Sequence, residues 1–245
     1  MSVKLISHST APVDTGLDNV QELIAYCAKV SNPNNQINKE TSERLIRYLI
    51  KHAHWSPLEM VSACLEIETT RDIAHQIVRH RSFAFQEFSQ RYANPEEMGE
   101  QFVIREARLQ DKKNRQNSVY TDNVELIHSW EDKQQEVIDK AKEVYDWAIE
   151  NGIAKEQARV VLPEGNTKTR LYMNGTIRSW IHYIELRSAN GTQKEHMEVA
   201  HACAKVIAEI FPIAEEFVAL LDKSVQSEYN SSYDKNYNGK SDYFV

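Results

Sequence analysis

The residues best suited to chemistry in this sequence form a basic stretch between positions 71 and 92. Its four arginines outnumber its two acids in a chain whose formal net charge is -7. The arginines are Arg71, Arg79, Arg81 and Arg91, and the acids are Asp72 and Glu87. Surface helices usually give arginines acidic partners three or four residues away, but the triplet 79–81 has no acid within five residues on either side. A guanidinium can donate two parallel hydrogen bonds to phosphate oxygens, so this pattern indicates a bound anion.

The spacing of polar residues predicts two surfaces, one on each side of the triplet. Upstream, the helical periodicity places Gln76 and Arg79 on one face at i, i+3. Downstream, Glu87, Ser89 and Arg91 are two residues apart, so in an extended segment they would point the same way above neighbouring phenylalanines. Together the two surfaces could enclose a ligand larger than one phosphate. The alternative interpretation is an exposed basic turn whose aromatic side chains lie in the core.

Arg-His-Arg followed by Ser after seven residues resembles the signature of the flavin-dependent thymidylate synthases. The match is formed by the triplet 79–81 with Ser89, and the pairs at 86–87 and 91–92 extend it to fourteen residues. The sequence departs from many members at Ala84 and Gln86, where they have Ser and Asn, so fewer of the family's side-chain hydroxyls and amides are available in this loop.

Two further blocks extend the resemblance across roughly residues 31–187. The turn from His52 to Glu59 resembles the family's His-x-x-Pro-x-Glu element, and residues 157–163 resemble another family block. The pair His52 and His54 is also compatible with a metal site. However, no partner ligands are recognisable, and paired histidines at a helix end are more often capping groups. We therefore predict no metal.

The resemblance implies an FAD-dependent thymidylate synthase, which reductively methylates dUMP to dTMP. Methylenetetrahydrofolate would supply the one-carbon unit, and NADPH would supply electrons through FAD, which carries the hydride chemistry. The positions that match the family's dUMP contacts are Gln76, Arg79, Glu87, Ser89, Gln90, Arg91, Arg159 and Arg187. The positions that match its FAD contacts are Ser56, Arg79, His80, Arg81, Glu87, Thr176, Arg178 and His182. Arg187 is implied to be catalytic, because the matching family residue stabilises negative charge on the uracil ring.

The resemblance also implies the fold and the assembly. The family fold is α+β, a single domain in which long helices pack around a small, mainly antiparallel sheet. It assembles as a homotetramer whose active sites form between subunits. Two of the FAD positions, Thr176 and His182, depart from some members, in which both positions are Asn.

Periodicity predicts the elements that must position these residues. Strands are expected near residues 3–8, 61–69, 101–105 and 167–173. Helices are expected near residues 17–27, 41–52, 72–79, 124–149, 154–162 and 175–186, and a last one from a capping box at 192–195. Pro212 is expected to kink or split that last helix. Residues 111–117 form a candidate lid, although a plain solvated insertion is the more common structure for such a segment.

Length and composition predict one domain that lies in the cytoplasm. The 245 residues contain no linker and no internal repeat, so we expect a single domain at 1–225 and a polar, Tyr-rich tail at 226–245. No apolar stretch approaches about 20 residues, and the N-terminus lacks a signal-peptide core, which predicts no membrane association. The three cysteines are odd in number and far apart, which disfavours a disulfide framework and a thiolate zinc site.

Two other function classes are less consistent with the sequence. A metal hydrolase would need a recognisable ligand cluster, but His196 and His201 are five apart and do not form a His-Glu-x-x-His motif. A nucleic-acid-binding module usually has a broad basic face, whereas this chain carries a net charge of -7. No glycine-rich phosphate loop occurs, so side chains must hold the phosphates.

Overall fold

The computed structural model of the protein describes residues 1–189 and 191–214. The helices in these residues are α1 (Val20–Ala28), α2 (Ser42–Lys51), α3 (Arg71–Ile77), α4 (Val124–Glu150), α5 (Lys155–Ala158), α6 (Ile177–Ser188) and α7 (Lys194–Ile210). The strands are β1 (Ser2–His8), β2 (Ser62–Thr70), β3 (Phe83–Glu87), β4 (Arg108–Gln110), β5 (Ser118–Tyr120) and β6 (Lys168–Thr176). The predicted α+β class with long helices and a small antiparallel sheet is confirmed.

The main sheet has the strand order β1-β2-β6-β3, and every neighbouring pair is antiparallel. In β2 the inward residues Ala63, Leu65 and Ile67 are completely buried, because apolar side chains alternate with polar ones and only one face meets the helices. The indole of Trp180 on α6 donates a hydrogen bond to the carbonyl of Ala63 at 3.0 Å. This contact ties the helix that carries Arg187 to the centre of the sheet.

One hydrophobic core lies between the sheet and helices α1, α2, α3, α6 and α7. Ile24, Ile46, Trp180 and Ile207 are each at most 1% exposed within it. The long helix α4 lies outside this core and packs through Tyr145 against α5. The helical periodicity of the sequence predicts eight inward-facing residues, but two of these are exposed. The eight are Ile127, Trp130, Val137, Ile138, Ala141, Val144, Tyr145 and Ala148. The exposed two are Trp130 and Val137.

The strand predicted at residues 101–105 is wrong, because that segment forms only an isolated bridge between Phe102 and Thr167. Two backbone hydrogen bonds reach residues 166–168, since the Val103 N–H bonds to the Asn166 carbonyl and the Lys168 N–H bonds to the Gln101 carbonyl, both at 2.9 Å. Side chains satisfy further backbone groups of the segment. Gln134 accepts from the N–H of Arg105 at 2.8 Å and donates to its carbonyl at 2.8 Å. Asn166 donates to the carbonyl of Val103 at 2.9 Å. Two strands that periodicity missed, β4 and β5, form a hairpin around the candidate lid at residues 111–117.

The capping box predicted at residues 192–195 is also wrong. Gln193 is the N-cap residue of α7, and its side chain makes no capping hydrogen bond. Glu195, the expected reciprocal partner, instead pairs with Arg108 at 2.5 Å and Arg105 at 3.1 Å. A carboxylate gains more from two guanidinium groups than from one backbone N–H. Helix α7 ends at Ile210, before Pro212, and a short 3-10 turn follows at Pro212–Ala214. The kink or split expected at Pro212 stays a prediction.

The extent of the domain at 1–225 stays a prediction. The predicted tail at 226–245 lies outside the described residues. Within the described part of the chain, no helix combines the length and the apolar character needed to cross a membrane.

Candidate active site

The basic triplet lies where α3 ends and turns into β3. The backbone N–H of His80 bonds to the carbonyl of Ile77 at 3.1 Å, and the N–H of Phe83 bonds to the carbonyl of His80 at 3.3 Å. This tight turn leaves the side chains of Arg79 and Arg81 exposed, while that of His80 is half-buried. No carboxylate of the described residues lies within 4.0 Å of either arginine. Both guanidinium groups are therefore available to an anionic ligand.

Arg187, at the last turn of α6, contacts the triplet through His80. Its Nε donates to His80 Nε2 at 2.8 Å. Burial, and then the positive charge of Arg187, lower the pKa of His80 to about 4. The imidazole is therefore neutral near pH 7, and its proton is on Nδ1, because Nε2 accepts. The remaining N–H groups of Arg187 donate to no other described residue, so one edge of the guanidinium is left for a ligand.

The N-terminal half of α6 contacts two of the segments that carry the family resemblance, the turn at 52–59 and the stretch at 79–92. Thr176 caps the helix by accepting from the N–H of Ser179 at 3.2 Å, and the hydroxyl of Ser179 donates to the carbonyl of Ser82 at 3.2 Å. Arg178 forms an ion pair with Glu59. Its Nε is buried without an acceptor among the described residues. A donor of this kind is expected where a ligand atom completes the site.

His182 lies one turn further along α6, against the turn that contains Ser56. Its ring meets the indole of Trp55 edge-to-face, with ring centroids 4.5 Å apart. Burial and the nearby charge of Arg178 lower the pKa of His182. Ser56 is exposed at the start of a short helical turn that ends at Glu59. Thr176, Arg178, His182 and the turn of Ser56 therefore share one end of α6.

Glu87, Ser89 and Arg91 were predicted to point the same way in an extended segment, and this prediction is wrong. Strand β3 ends at Glu87, and residues 90–92 form a turn in which the N–H of Tyr92 bonds to the carbonyl of Ser89 at 3.0 Å. The register with β6 ends there, and after the bond of the Phe88 N–H to the Arg170 carbonyl at 2.8 Å no strand pairing holds residues 89–91 extended within the described residues. As a result Ser89 and Arg91 are not spaced along one strand face with Glu87.

The polar side chains of this segment, those of Glu87, Gln90 and Arg91, have different surroundings. Glu87 accepts from Thr169 at 2.9 Å and from Arg71 at 3.3 Å. Gln90 is only 3% exposed, and its amide nitrogen has no acceptor among the described residues. Arg91 is exposed and lies 3.5 Å from a carboxylate oxygen of Glu156. Glu87 is thus held firmly by the fold, whereas Arg91 is held by one exposed pair.

The structure brings the predicted residues together in separate groups. His80 and Arg187 form one group with Gln76, which is connected to them through Tyr183 and His196. Within the described residues, no hydrogen bond, ion pair or ring contact joins Arg91 or Arg159 to this group. Cavities of about 460 and 420 Å³ exist, but neither is lined by a predicted site residue. Residues that meet only across a subunit interface would give this arrangement in one chain.

Several side chains that contact predicted residues were missed by sequence reasoning. Glu59 pairs with Arg178, although the block that contains it was recognised. His196 was considered only as a zinc ligand, but it contacts Gln76 and Tyr183. A buried histidine on an apolar helix face carries no sequence signal of its partners. Within the described residues, no group of three or more His, Cys, Asp or Glu side chains could hold a metal ion.

The family of the chain follows from its similarity to known proteins. The family described as "Thymidylate synthase complementing protein" matches residues 12–213. A probable flavin-dependent thymidylate synthase of Paramecium bursaria Chlorella virus 1 is 51% identical over 212 residues, which cover 86% of this chain and 96% of the relative. The chain belongs to the flavin-dependent thymidylate synthase family. The predicted family, enzyme class and flavin dependence are thereby confirmed.

Other relatives agree with this membership. The flavin-dependent thymidylate synthase of Synechocystis sp. is 50% identical over 191 residues, which cover 78% of this chain and 85% of the relative. Among solved structures, a UMP/dUMP methylase, PolB from Streptomyces cacaoi, bound with 5-Br dUMP, has a TM-score of 0.69 and 24% identity. The match covers 88% of this chain and 93% of that chain. At this identity the likeness establishes the shared fold.

Proposed function

We propose that the chain converts dUMP to dTMP with methylenetetrahydrofolate as the one-carbon donor and NADPH as the reductant through bound FAD. The observation that carries this proposal is a set of guanidinium groups without carboxylate partners beside the neutral His80. Arg79 and Arg81 are exposed, and Arg187 has a free edge. In a chain of net charge -7, such groups favour an anionic substrate and cofactor.

The residues present suit the phosphates and the ring system of FAD. The exposed Arg79 and Arg81 and the buried, unsatisfied Nε of Arg178 offer donors for phosphate oxygens. The residues proposed to hold FAD are Ser56, Arg79, His80, Arg81, Glu87, Thr176, Arg178 and His182. When bound, the flavin supplies the hydride chemistry, and the protein supplies binding, orientation and electrostatics.

Arg187 is proposed to act on the pyrimidine of dUMP. Its guanidinium, oriented by the bond to His80, favours a negatively charged uracil ring and so activates that ring. His80 is suited to this task because a neutral imidazole accepts from Nε without neutralising the charge of Arg187. The other residues proposed for dUMP are Gln76, Arg79, Glu87, Ser89, Gln90, Arg91 and Arg159.

The active sites are proposed to form between subunits of a homotetramer. Arg91 and Arg187 lie in separate groups within one chain, which is consistent with a nucleotide held by two chains. Mixing Arg91→Ala subunits with Arg187→Ala subunits should then restore part of the activity, because some sites would receive both wild-type residues. Unmixed variants are the controls. No recovery in demonstrably mixed tetramers, or a monomer in solution, would contradict the shared site.

The proposed function is tested by the spectrum and the activity of the purified protein. We expect flavin absorption bands, and NADPH-dependent dTMP formation that requires methylenetetrahydrofolate. Neutral replacements of Arg79, Arg81 or Arg178 should weaken FAD binding, whereas the Arg44→Gln control, which changes an arginine outside the site, should not. A colourless protein that takes up no FAD but contains stoichiometric zinc would overturn the proposal in favour of a hydrolase. A cytoplasmic location is also proposed.

A further inference from the structure

A line of hydrogen-bonded polar side chains lies beneath the arginine–histidine pair and joins α3, α6 and α7. The hydroxyl of Tyr183 is 3.1 Å from His196 Nε2, and His196 Nδ1 is 3.2 Å from Gln76 Oε1. Gln76 Nε2 is 2.8 Å from Gln193 Oε1, and Gln193 Nε2 is 2.9 Å from Glu195 Oε2. Tyr183 and His196 are at most 1% exposed. Side chains buried in this way hold one arrangement only if every donor meets an acceptor.

Glu195 determines which group donates and which accepts in each hydrogen bond of the line. Burial would raise the pKa of this carboxyl, but hydrogen bonds led by that from Arg108 and the charge of Arg105 outweigh burial and lower the pKa to about 2. The ionised carboxylate can only accept. Gln193 must therefore turn its NH₂ group towards Glu195, and this leaves its carbonyl oxygen facing Gln76.

The same reasoning fixes the remaining members. Gln76 must donate through Nε2 to the oxygen of Gln193, so its own Oε1 faces His196 and requires a donor. Burial, followed by the charges of Arg187 and His80, lowers the pKa of His196 to about 3. The neutral ring therefore donates from Nδ1 to Gln76 and accepts at Nε2 from the hydroxyl of Tyr183.

We propose that His196 and Gln193 are positioning residues that hold the side-chain amide of Gln76 in a single orientation for the nucleotide. The inference rests on the proposed function, in which Gln76 contacts dUMP. An amide has two N–H groups and two acceptor positions, and the line uses one of each. The unused N–H and the unused lone pair are therefore presented in fixed places. A freely rotating amide would present either group at the same place.

The line also supports the arginine–histidine pair. The ring of His80 packs edge-to-face on Tyr183 with centroids 4.9 Å apart, and its centroid is 6.4 Å from that of His196. Tyr183 also packs against Phe83 and Trp180, with ring centroids 6.0 Å away in each case, so its support of the acceptor of Arg187 does not depend on the hydrogen bond to His196. The same helices consequently orient both groups proposed to meet the pyrimidine nucleotide.

The experiment compares His196→Leu with His196→Asn. Leucine keeps an apolar volume but removes the donor to Gln76, whereas the side-chain NH₂ of asparagine can occupy the place of Nδ1. We expect His196→Leu to raise the Kd for dUMP, followed by flavin absorbance, and the KM for dUMP about tenfold, which corresponds to about 1.4 kcal/mol. The asparagine variant should recover most of this loss. FAD content and kcat should change by less than about threefold.

A double-mutant cycle separates positioning from stability. In a Gln76→Ala background, His196→Leu should cause no further loss of dUMP affinity, because no amide remains to be oriented. Ile207→Val, a buried substitution on the same helix, is the control that should lower the melting temperature without changing dUMP affinity. Should His196→Leu fail to fold, Gln193→Leu tests the other contact of Gln76 in the same cycle.

The outcomes distinguish this inference from the proposed function. Suppose that the wild-type protein binds dUMP and forms dTMP. Fully additive losses of dUMP affinity for the substitutions at 76 and 196, or equal losses in the leucine and asparagine variants, would then overturn the positioning role alone. A wild-type protein that neither binds dUMP nor forms dTMP would overturn the proposed function and this inference with it.

Discussion

Two regions of the molecule use arginine in opposite ways. In the paired arginine cluster, Arg105 bonds to Asp72 at 3.0 Å and to Glu195 at 3.1 Å, and Arg108 bonds to Glu195 at 2.5 Å. In the unpaired arginine site, formed by residues 79, 81 and 187, no guanidinium meets a carboxylate of the described residues. The first set is satisfied by the fold, and the second set is left for a ligand.

The neighbouring titratable groups reflect this difference. In the paired arginine cluster the positive charges stabilise an anion, and the pKa of Glu195 falls to about 2. In the unpaired arginine site burial and positive charge act on histidines, and the pKa of His80 falls to about 4. The unpaired arginine site therefore has no carboxylate partner within the described residues, and the neighbouring His80 adds no positive charge near neutral pH. Water solvates the exposed Arg79 and Arg81 until an anion binds.

The largest expected effect is that of Arg187→Ala on turnover. Removal of a preorganised charge at the pyrimidine should lower dTMP formation about 10²- to 10³-fold. Arg187→Lys, which keeps the charge but loses the planar donor set, should recover only part of the rate. Urea unfolding should show little loss of stability, because Arg187 has no carboxylate partner within the described residues. Turnover within a few-fold of wild type would contradict the catalytic assignment.

A second effect is expected in the paired arginine cluster, on stability. Glu195→Ala leaves Arg105 and Arg108 without this carboxylate at a largely buried position, since the side chain of Glu195 is 18% exposed. We expect the free energy of unfolding to fall by about 3 kcal/mol. Glu59→Ala breaks the more exposed pair with Arg178 and should cost below about 1 kcal/mol. Equal losses in the two variants would show that burial does not separate these pairs.

Acidification should destabilise the protein through His80, which contacts Arg187, and through the buried His196. The pKa of His80 is about 4 and that of His196 about 3 in the folded protein, both lowered from 6.5. A depressed folded pKa means that the unfolded chain binds the proton first, so stability is full above about pH 6.5 and falls as the pH approaches these folded values. Denaturant unfolding at successive pH values should show this decrease.

A double variant sharpens the pH test. His80→Gln with His196→Asn should flatten the dependence between about pH 6.5 and 4, because neither side chain titrates there. Glu195 also titrates with a depressed pKa, but its contribution is lost only below its unfolded value, between about pH 4.3 and 2. An unchanged slope above pH 5 in the double variant would assign the pH dependence to other groups.

The sequence was sufficient for the parts of the fold that depend on local periodicity. The alternation in β2 and the helical spacing of α2 are visible because each element has one buried face. The basic triplet 79–81 was recognisable because it lacks acidic neighbours in the chain. The structure adds no carboxylate partner for its arginines within the described residues.

The remaining features depend on contacts that are distant in sequence. Residues 102–105 appear strand-like, but Gln134 and Asn166 satisfy their backbone from elsewhere in the chain. The capping box at the start of α7 failed because Glu195 is captured by arginines that are 87 and 90 residues away. His196 likewise meets Gln76 across 120 residues. Local patterns cannot encode such partners, so the supporting contacts of the site were missed.

The smallest expected effect is that of replacing the cysteines. A thymidylate synthase that attacks the pyrimidine with a thiolate needs a positive environment that lowers the pKa of the thiol. Instead, burial raises the pKa of Cys27, Cys64 and Cys203. None of them makes an ion pair or hydrogen bond with the unpaired arginine site within the described residues.

The hydroxyl of Ser89 makes no hydrogen bond to a described residue either, so no base activates it, and we expect it to orient the nucleotide. The variant with Cys27, Cys64 and Cys203 all replaced by Ser or Ala should retain FAD and keep dTMP formation within about threefold of wild type. Cys203→Ala should account for most of any lost stability, because that thiol is fully buried. Total loss of turnover in a folded, FAD-containing variant, with a covalent adduct trapped on one wild-type cysteine, would place the chemistry outside the unpaired arginine site.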